Sequence, residues 1–242
     1  MRIEITIPVL NEQETIADKV EEVDRFLSAE FSGESIDLVI ADNGSTDQTE
    51  AIARELSATL DRVKYLRLAE RGVGRALKAS WTRSQADIVG YMDLDLATDL
   101  SYLRPALSAL IRDEADLVTG SRLARGSTVI GRKFIRKVTS IGLNLLVRLV
   151  FSTTFTDGMC GFKFLKRTEV ERLIENGAGS DGWFFATELL IVGEHLGLRV
   201  KDLPVRWTDD PETKVRIVSL SLEYIRAMKS LKKILSQVPR SM

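Results

Sequence analysis

The chain has 242 residues, a formal net charge of -1 at pH 7, one cysteine and one histidine. That length buries a full core, as one large α/β domain or a domain with an appendage, and the near-neutral balance argues against a general nucleic-acid binder, which would be strongly basic. The lone Cys160 excludes an intrachain disulfide and fits a reducing, cytoplasmic compartment, while the lone His195 leaves no histidine-based metal cluster, so any metal is expected on oxygen ligands.

The N-terminus opens on an alternating run, Arg2-Ile3-Glu4-Ile5-Thr6-Ile7, which reads as a strand and not as a signal peptide. Strand-like apolar runs recur at Ile3 to Val9, Ile36 to Ala41, Val63 to Leu68, Ile88 to Met92 and Leu117 to Thr119. Between them lie segments of helical spacing, such as Ile16, Val20, Val23, Leu27 and Phe31, or Ile52, Leu56 and Leu60. The alternation predicts a doubly wound, mainly parallel sheet with flanking helices, in which ligands sit beyond the carboxyl ends of the strands. The polar clusters fall there: Pro8 to Glu12, Asp42 to Asp47, Arg71 to Gly74, and Asp93 to Asp95.

Each cluster admits a plain and a functional reading. Asp42-Asn43-Gly44-Ser45-Thr46-Asp47-Gln48 is a good helix start, with Ser45 or Thr46 as cap and Gln48 answering Ser45. That leaves Asp42 unexplained, a carboxylate facing the expected crevice and suited to a base amide or a ribose hydroxyl. Gly72-Val73-Gly74 is a turn, or lets backbone approach a diphosphate at a helix start. Asp93 and Asp95 end an apolar strand, and strand residues two apart point the same way, so both converge on one divalent cation or stand as solvated strand-end carboxylates and caps. A hard cation such as Mg²⁺ or Mn²⁺ on one or two carboxylates takes substrate phosphates as its remaining ligands, which makes a nucleotide diphosphate the expected ligand class.

Beyond about residue 125 the pattern changes. Phe134, Val138, Ile141, Leu145 and Leu149 recur at helical spacing behind Arg132, Lys133, Arg136 and Lys137, and Leu222, Ile225, Met228, Leu231 and Leu235 do so among Arg226, Lys229, Lys232 and Lys233. These are either core-packed helices with solvated faces or interfacial helices laid in lipid with their cations at anionic headgroups. The longest apolar stretch, Ile141 to Phe151, is broken by Asn144 and Arg148 and is too short to span a bilayer. Cys160 beside Gly161 reads as small-residue packing, His195 as a helix C-terminal or surface residue, and Trp183, Phe184 and Phe185 as core or cleft wall.

Taken in order and spacing, Pro8-Val9-Leu10-Asn11-Glu12, Ala41 to Asp47, Arg71-Gly72-Val73-Gly74, Asp93-Leu94-Asp95 and Gly120-Ser121-Arg122 resemble glycosyltransferase family 2, whose members have the GT-A fold. Asp157-Gly158-Met159-Cys160-Gly161-Phe162-Lys163, Pro204-Val205-Arg206-Trp207 and Lys214-Val215 look like its branch of dolichyl-phosphate mannose and glucose synthases. The resemblance implies a GT-A domain over 1–215, with a nucleotide half at about 1–122 and an acceptor half at about 123–215, followed by an amphipathic helix at 216–242. It implies that Pro8, Asn11, Glu12, Asp42, Asn43 and Ser45 hold the nucleoside of a UDP- or GDP-hexose. Gly72, Gly74 and Leu94 would lie at its diphosphate, and Asp93 and Asp95 would hold Mg²⁺ or Mn²⁺. Arg122, Arg132, Asp157 and Glu188 would be the catalytic residues, the two arginines taking the phosphate of a polyprenyl acceptor, peripherally on the cytoplasmic face of a membrane, with or without a separate membrane subunit.

Two departures bear on mechanism. Ala97 stands where some synthases of this branch place a polar group of the metal shell, leaving water, Thr98 or Asp99 for that role, and Ala186 stands where many relatives have an aspartate. A sugar hydroxyl acceptor needs a base, whereas a phosphate monoester with a second pKa of about 6 is already largely ionised. The resemblance implies inverting, metal-dependent hexose transfer in a single displacement, and the residues make a lipid phosphate the expected acceptor. The rival readings are a soluble glycosyltransferase acting on a carbohydrate hydroxyl and a nucleotide-sugar binder without turnover. Nucleotidyltransfer fits less well, since Pro8 to Glu12 stands where its glycine-rich basic loop belongs.

Overall fold

The computed structural model describes residues 1–209 and 217–240. Lys214 and Val215 lie outside them. Strand β1 (Arg2–Val9) leads through helix α1 (Ile16–Glu30) to β2 (Ser35–Asp42), α2 (Thr49–Thr59), β3 (Val63–Arg67), α3 (Val73–Trp81) and β4 (Ile88–Met92). Then come α4 (Leu103–Ile111), β5 (Leu117–Ser121), β6 (Thr128–Ile130), α5 (Phe134–Phe151), β7 (Phe162–Lys166), α6 (Val170–Glu175), α7 (Phe185–His195), β8 (Val200–Pro204), β9 (Arg206–Thr208) and α8 (Ile217–Leu235).

Seven strands form one sheet in the order β3-β2-β1-β4-β7-β5-β8, and β6 and β9 pair separately. All pairings in the large sheet are parallel except those of β7, which runs antiparallel between β4 and β5. The five strands expected from apolar runs are all present. The sequence did not announce β7, because Phe162, Phe164 and Leu165 lie within a motif that reads as a ligand loop. β1 is covered on both faces, which is why Glu4 and Thr6 are as buried as Ile3, Ile5 and Ile7.

Two cores result. On one face α1, α2 and α4 pack their apolar stripes, with Ile16, Val20, Val23 and Leu27 of α1 buried at spacings of four and three. On the other, Leu77 and Trp81 of α3 meet Phe185, Leu189 and Val192 of α7, and α8 adds Tyr224, Met228, Leu231 and Leu235. The last helix thus packs as part of the domain's core.

Helix α5 behaves oppositely. Its buried residues are Ser140, Asn144 and Val147, while Phe134 is 77% and Leu149 72% exposed, with Ile135, Val138, Ile141 and Leu145 exposed between them. The apolar stripe read from the sequence exists, and it faces outward. No helix among the described residues is long and apolar enough to cross a membrane.

Gly90 shows how tightly β4 is set against β7. It lies opposite Phe164, and a Cβ there would fall 2.1 Å from that ring's Cδ1 and 2.6 Å from the Lys163 carbonyl. Gly90→Ala is expected to cost about 1–3 kcal/mol of stability by overpacking the central strand, read as a melting temperature lower by several degrees than that of the unaltered chain.

Candidate functional site

The loops after β1 and β2 lock into one another. Asn11, at φ +55°, donates its amide to Ser45 Oγ (2.9 Å), and its side-chain oxygen accepts from the Thr46 amide (2.8 Å). Glu12 donates its amide to Thr49 Oγ1 (2.8 Å). These bonds explain why α2 starts at Thr49 and not at Ser45. The Ser45 hydroxyl is committed to Asn11, and Asp47 Oδ1 accepts from the Thr49 amide (3.0 Å). Pro8 closes this floor at the end of β1, opposite Ala41.

Asp42 is fully buried and is a hub of this floor. It accepts from the Ser45 amide (2.8 Å), the Tyr65 hydroxyl (2.8 Å) and the Arg67 guanidinium. Burial pushes its pKa up, but the Ser45, Tyr65 and Arg67 hydrogen bonds outweigh it and hold the carboxyl below its usual range. The sequence left Asp42 facing a ligand. Its Oδ2 accepts from both Tyr65 and Arg67, and the latter pairing is readable from register, since Asp42 lies opposite Arg67 across β2 and β3. Asn43, by contrast, has a buried side-chain oxygen with no partner among the described residues.

Gly72 and Gly74 serve a closer neighbour than a diphosphate. Cβ atoms there would fall 2.4 Å from the Asp181 carbonyl and 2.3 Å from the Ser180 carbonyl. The Gly74 and Arg75 amides donate to the Gly182 and Asp181 carbonyls (3.2 Å each). The glycines let loop 180–182 cap the start of α3, so two first-turn amides are taken by the chain itself.

Asp93 and Asp95 do not lie along a strand. β4 ends at Met92, the Asp93 amide donates to the Gly161 carbonyl (3.1 Å), and the chain turns through Leu96 at φ +54° while Asp95 Oδ1 accepts from the Ala97 amide (3.0 Å). A turn, not strand alternation, brings the carboxylates together. Leu94 between them is buried in the core. Burial, with the neighbouring Asp95 charge, pushes the pKa of Asp93 up to about 7. Such a carboxylate gains most from a cation beside it. Its space is cut to measure, since a Cβ on Gly161 would lie 1.8 Å from Asp93 Oδ2. No cluster of three or more acidic, histidine or cysteine side chains surrounds it among the described residues. Asp99 is occupied capping Ser101, and the Thr98 hydroxyl faces Cys160 Sγ at 3.8 Å. Neither fills the place of Ala97. The two carboxylates fit a hard cation that draws its other ligands from phosphate and water.

Arg122 follows β5 and is not free. Its Nε and Nη2 donate to the two oxygens of Asp157 (2.7 and 3.0 Å), and its own amide donates to Asp157 Oδ2 (3.2 Å). Asp157 also accepts from the Met159 amide (3.1 Å) and from Asn144 Nδ2 of α5 (3.3 Å). Burial opposes both charges, but the pair outweighs it, holding the carboxyl well below and the guanidinium above its ordinary value. Arg132 makes no ion pair or hydrogen bond among the described residues. Its guanidinium stands 5.5 Å from the Trp207 ring centroid, and that of Arg122 5.2 Å. Burial and the nearby Arg122 lower its pKa to about 10, so it stays charged at neutral pH. Trp207 is stitched to the turn after Asp95 through the Thr98 bridge and the Thr208 amide on the Ala97 carbonyl (2.8 Å). Metal turn and arginines thus share one wall, a role the sequence had not assigned to Trp207.

Lys163 was also missed. It is fully buried on β7, donates to the Cys160 carbonyl (2.6 Å), and burial lowers its pKa to about 8. Cys160 is buried packing beside Gly120, and burial raises its thiol to about 11, as expected of an inert cysteine. Glu188 is buried and binds the Ser180 amide (2.8 Å) and hydroxyl (2.6 Å), so it fastens loop 180–182 and is not poised as a base. Asp181 is tied to Arg75 and Lys78, and Ala186 is buried. His195 ends α7 with Nε2 2.9 Å from the Val238 carbonyl.

Residues 4–173 match the family described as Glycosyl transferase family 2. Glycosyltransferase AglD of Haloferax volcanii is 32% identical over 219 residues, 90% of this chain but 35% of that protein. The dolichyl-phosphate beta-glucosyltransferase of Drosophila melanogaster is 27% identical over 89% of this chain and 69% of its own. Among solved structures, glucosyl-3-phosphoglycerate synthase of Mycobacterium tuberculosis with Mn²⁺, UDP and phosphoglyceric acid superposes with a TM-score of 0.70 at 20% identity, covering 96% of this chain and 78% of that one. A mainly parallel sheet with its polar loops at the strand carboxyl ends, and a family match over most of its length, place the chain in glycosyltransferase family 2.

Proposed function

We propose that the chain transfers glucose from UDP-glucose to a polyprenyl phosphate at a membrane surface, inverting the anomeric carbon in one displacement. The donor follows the UDP-bound structural neighbours, and sugar and acceptor follow the relatives named as dolichyl-phosphate glucosyltransferases. The observation that carries the reading is the pairing state of the acceptor side. Asp157, Asp181 and Glu188 are engaged in hydrogen bonds and Ala186 has no carboxylate, while Arg132 stands charged, half-buried and without an ion pair among the described residues.

A phosphate acceptor suits that inventory. Its oxygen attacks the sugar carbon already ionised, the bond from that carbon to the diphosphate oxygen breaks, and its electron pair leaves with UDP. No proton is removed from the nucleophile. Arg132 draws the phosphate in, and Trp207 holds the guanidinium over its face. Arg122, its charge matched by Asp157, offers its remaining N–H. On the donor side Asp93 and Asp95 would hold Mg²⁺ or Mn²⁺, which when bound stabilises charge on the departing diphosphate. A carbohydrate hydroxyl would need a base, and Asp157, Asp181 and Glu188 are each engaged elsewhere. The membrane part rests on α5, whose exposed stripe runs beside Lys133, Lys137 and Arg148. Contacts from Trp207 and Thr208 to Thr98, Ala97 and Arg122 support a division into a nucleotide half at about 1–122 and an acceptor half at about 123–215.

Asp95→Ala is expected to lower turnover at least about 100-fold, since the Lewis-acid contribution is worth several kcal/mol. Excess chelator should do the same to the unaltered chain, and full activity in chelator would sink the metal assignment. Arg132→Ala should raise the acceptor KM about 10- to 100-fold, the equivalent of one lost charge-assisted bond of roughly 1.5–3 kcal/mol, with UDP binding unchanged. Arg122→Ala is the poorer probe, because it strands a buried carboxylate and costs stability of about 3–5 kcal/mol. The deciding assay offers radiolabelled UDP-glucose with polyprenyl phosphate, polyprenol or a free sugar. Transfer to a hydroxyl but not to the phosphate, or a requirement for Ala186→Asp, would overturn the reading.

Cosedimentation with anionic liposomes should weaken as salt rises, since exposed cations near such a surface contribute about 1 kcal/mol each. Leu145→Glu should abolish it, and indifference of the unaltered chain to liposomes at low salt would remove the membrane from the proposal.

A further inference from the structure

Helix α5 is fastened to the body largely by polar contacts, the Arg136–Asp209 ion pair (2.7 Å) near its start and a buried side chain at its middle. Of its three buried residues, only Val147 is apolar. The Ser140 hydroxyl is buried without a partner among the described residues, and Leu143, Val150 and Phe151 reach the core only in part. An element with so little apolar burial belongs to the low-stability end of a fold, the part that moves when its surroundings change.

The buried fastening residue is Asn144, 3% exposed. Its Nδ2 donates to Asp157 Oδ1 (3.3 Å) and to the Ser140 carbonyl of its own helix (3.0 Å), and its Oδ1 accepts from the Gly158 amide (2.8 Å). It therefore grips both the carboxylate that orients Arg122 and the loop behind it. Gly158 is confined from the other side, where its carbonyl accepts from Thr187 Oγ1 (2.9 Å) and a Cβ would meet Thr187 Cγ2 at 2.8 Å. A shift of α5 reaches Asp157 with little slack. Arg132 lies two residues before the same helix and moves with it.

The outer side of α5 supplies a reason to shift. Phe134, Val138, Ile141, Leu145 and Leu149 form one line, exposed along the helix, with Lys133, Lys137 and Arg148 beside it. The face therefore matches an anionic bilayer surface, with apolar groups to bury and cations at the headgroup level.

We propose that Asn144 is a positioning residue that transmits the seating of α5 on a bilayer to the Arg122–Asp157 pair, so that a lipid surface stimulates transfer and does not merely concentrate the acceptor. This rests on the membrane reading above. A ligand that favours one arrangement of a two-state element shifts the population of both ends of that element. Here the bilayer is that ligand, α5 the element and the acceptor arginine its far end.

The experiment measures glucose transfer to a short, water-soluble isoprenyl phosphate at saturating concentration, with and without vesicles of phosphatidylcholine and phosphatidylglycerol in equal parts. Saturation removes any gain from local concentration. The unaltered chain is expected to be stimulated at least about fivefold, the lower end of ordinary coupling between two sites. Asn144→Leu should cosediment with the vesicles and bind UDP as the unaltered chain does, while its ratio of rates with and without vesicles falls to near one. Asn144→Ser, too short to reach both Asp157 and Gly158, should behave alike and serves if the leucine variant does not fold. Stimulation that persists in a folded Asn144 variant overturns the proposal, as does an unaltered chain that binds vesicles without being stimulated. An unaltered chain that does not bind vesicles fails earlier, at the membrane reading, and takes this inference with it.

Discussion

The buried ion pair between Arg122 and Asp157 is the interaction on which the rest of the site depends. Two desolvated charges are tolerated only where geometry and further hydrogen bonds are good, and here the guanidinium is bidentate while the carboxylate takes three more N–H groups. The pair fixes the start of segment 157–161, and everything around the site touches that segment. Asn144 of α5 and Thr187 of α7 hold Gly158, Lys163 of β7 holds the Cys160 carbonyl, and the Gly161 carbonyl holds the Asp93 amide. Arg122 and Asp93 are thus positioned by one five-residue stretch, and a disturbance at either end reaches the other.

The same pairing decides which chemistry the site supports. A carboxylate whose oxygens all accept hydrogen bonds, and whose pKa is held far below neutrality by a guanidinium, is a poor proton acceptor however near the substrate it lies. Asp157 is one such group. Glu188 shares the fate differently, buried and bound to Ser180 as a fastening for the loop that caps α3. Structural demands have consumed Asp157, Asp181 and Glu188, and beside them Arg132 has no ion pair among the described residues. The site is built to bind negative charge more than to create it.

Much of this was legible in the sequence, and what was not has a common cause. The strands, the polar loops at their ends, and the candidates Asp93, Asp95, Arg122 and Arg132 were readable because each depends on residue type and local spacing. Partners far apart in the chain were not. Asp157 lies 35 residues from Arg122, and the carbonyls that explain Gly72 and Gly74 lie more than a hundred residues on. Spacing predicted that Asp93 and Asp95 converge and gave the wrong cause, strand alternation for what is a turn, because the end of β4 is set by its pairing with β7. The partners of Asp42 were likewise invisible in its own loop, since Tyr65 and Arg67 come from the neighbouring strand.

Helix α5 marks the sharpest limit of periodicity. A repeat of three and four residues shows that an apolar stripe exists, and the usual inference turns it toward the core. Here the core side needed a polar group, because Asp157 and the Gly158 amide required partners there, and Asn144 fills that place at the cost of turning the stripe outward. Core and stripe cannot both be satisfied on one face of an 18-residue helix. The sequence resolves the conflict in favour of the buried charges, whose unpaired state would cost more than exposed leucines in water. The exposed stripe is then a consequence of how the Arg122–Asp157 pair and the Gly158 amide are held from α5.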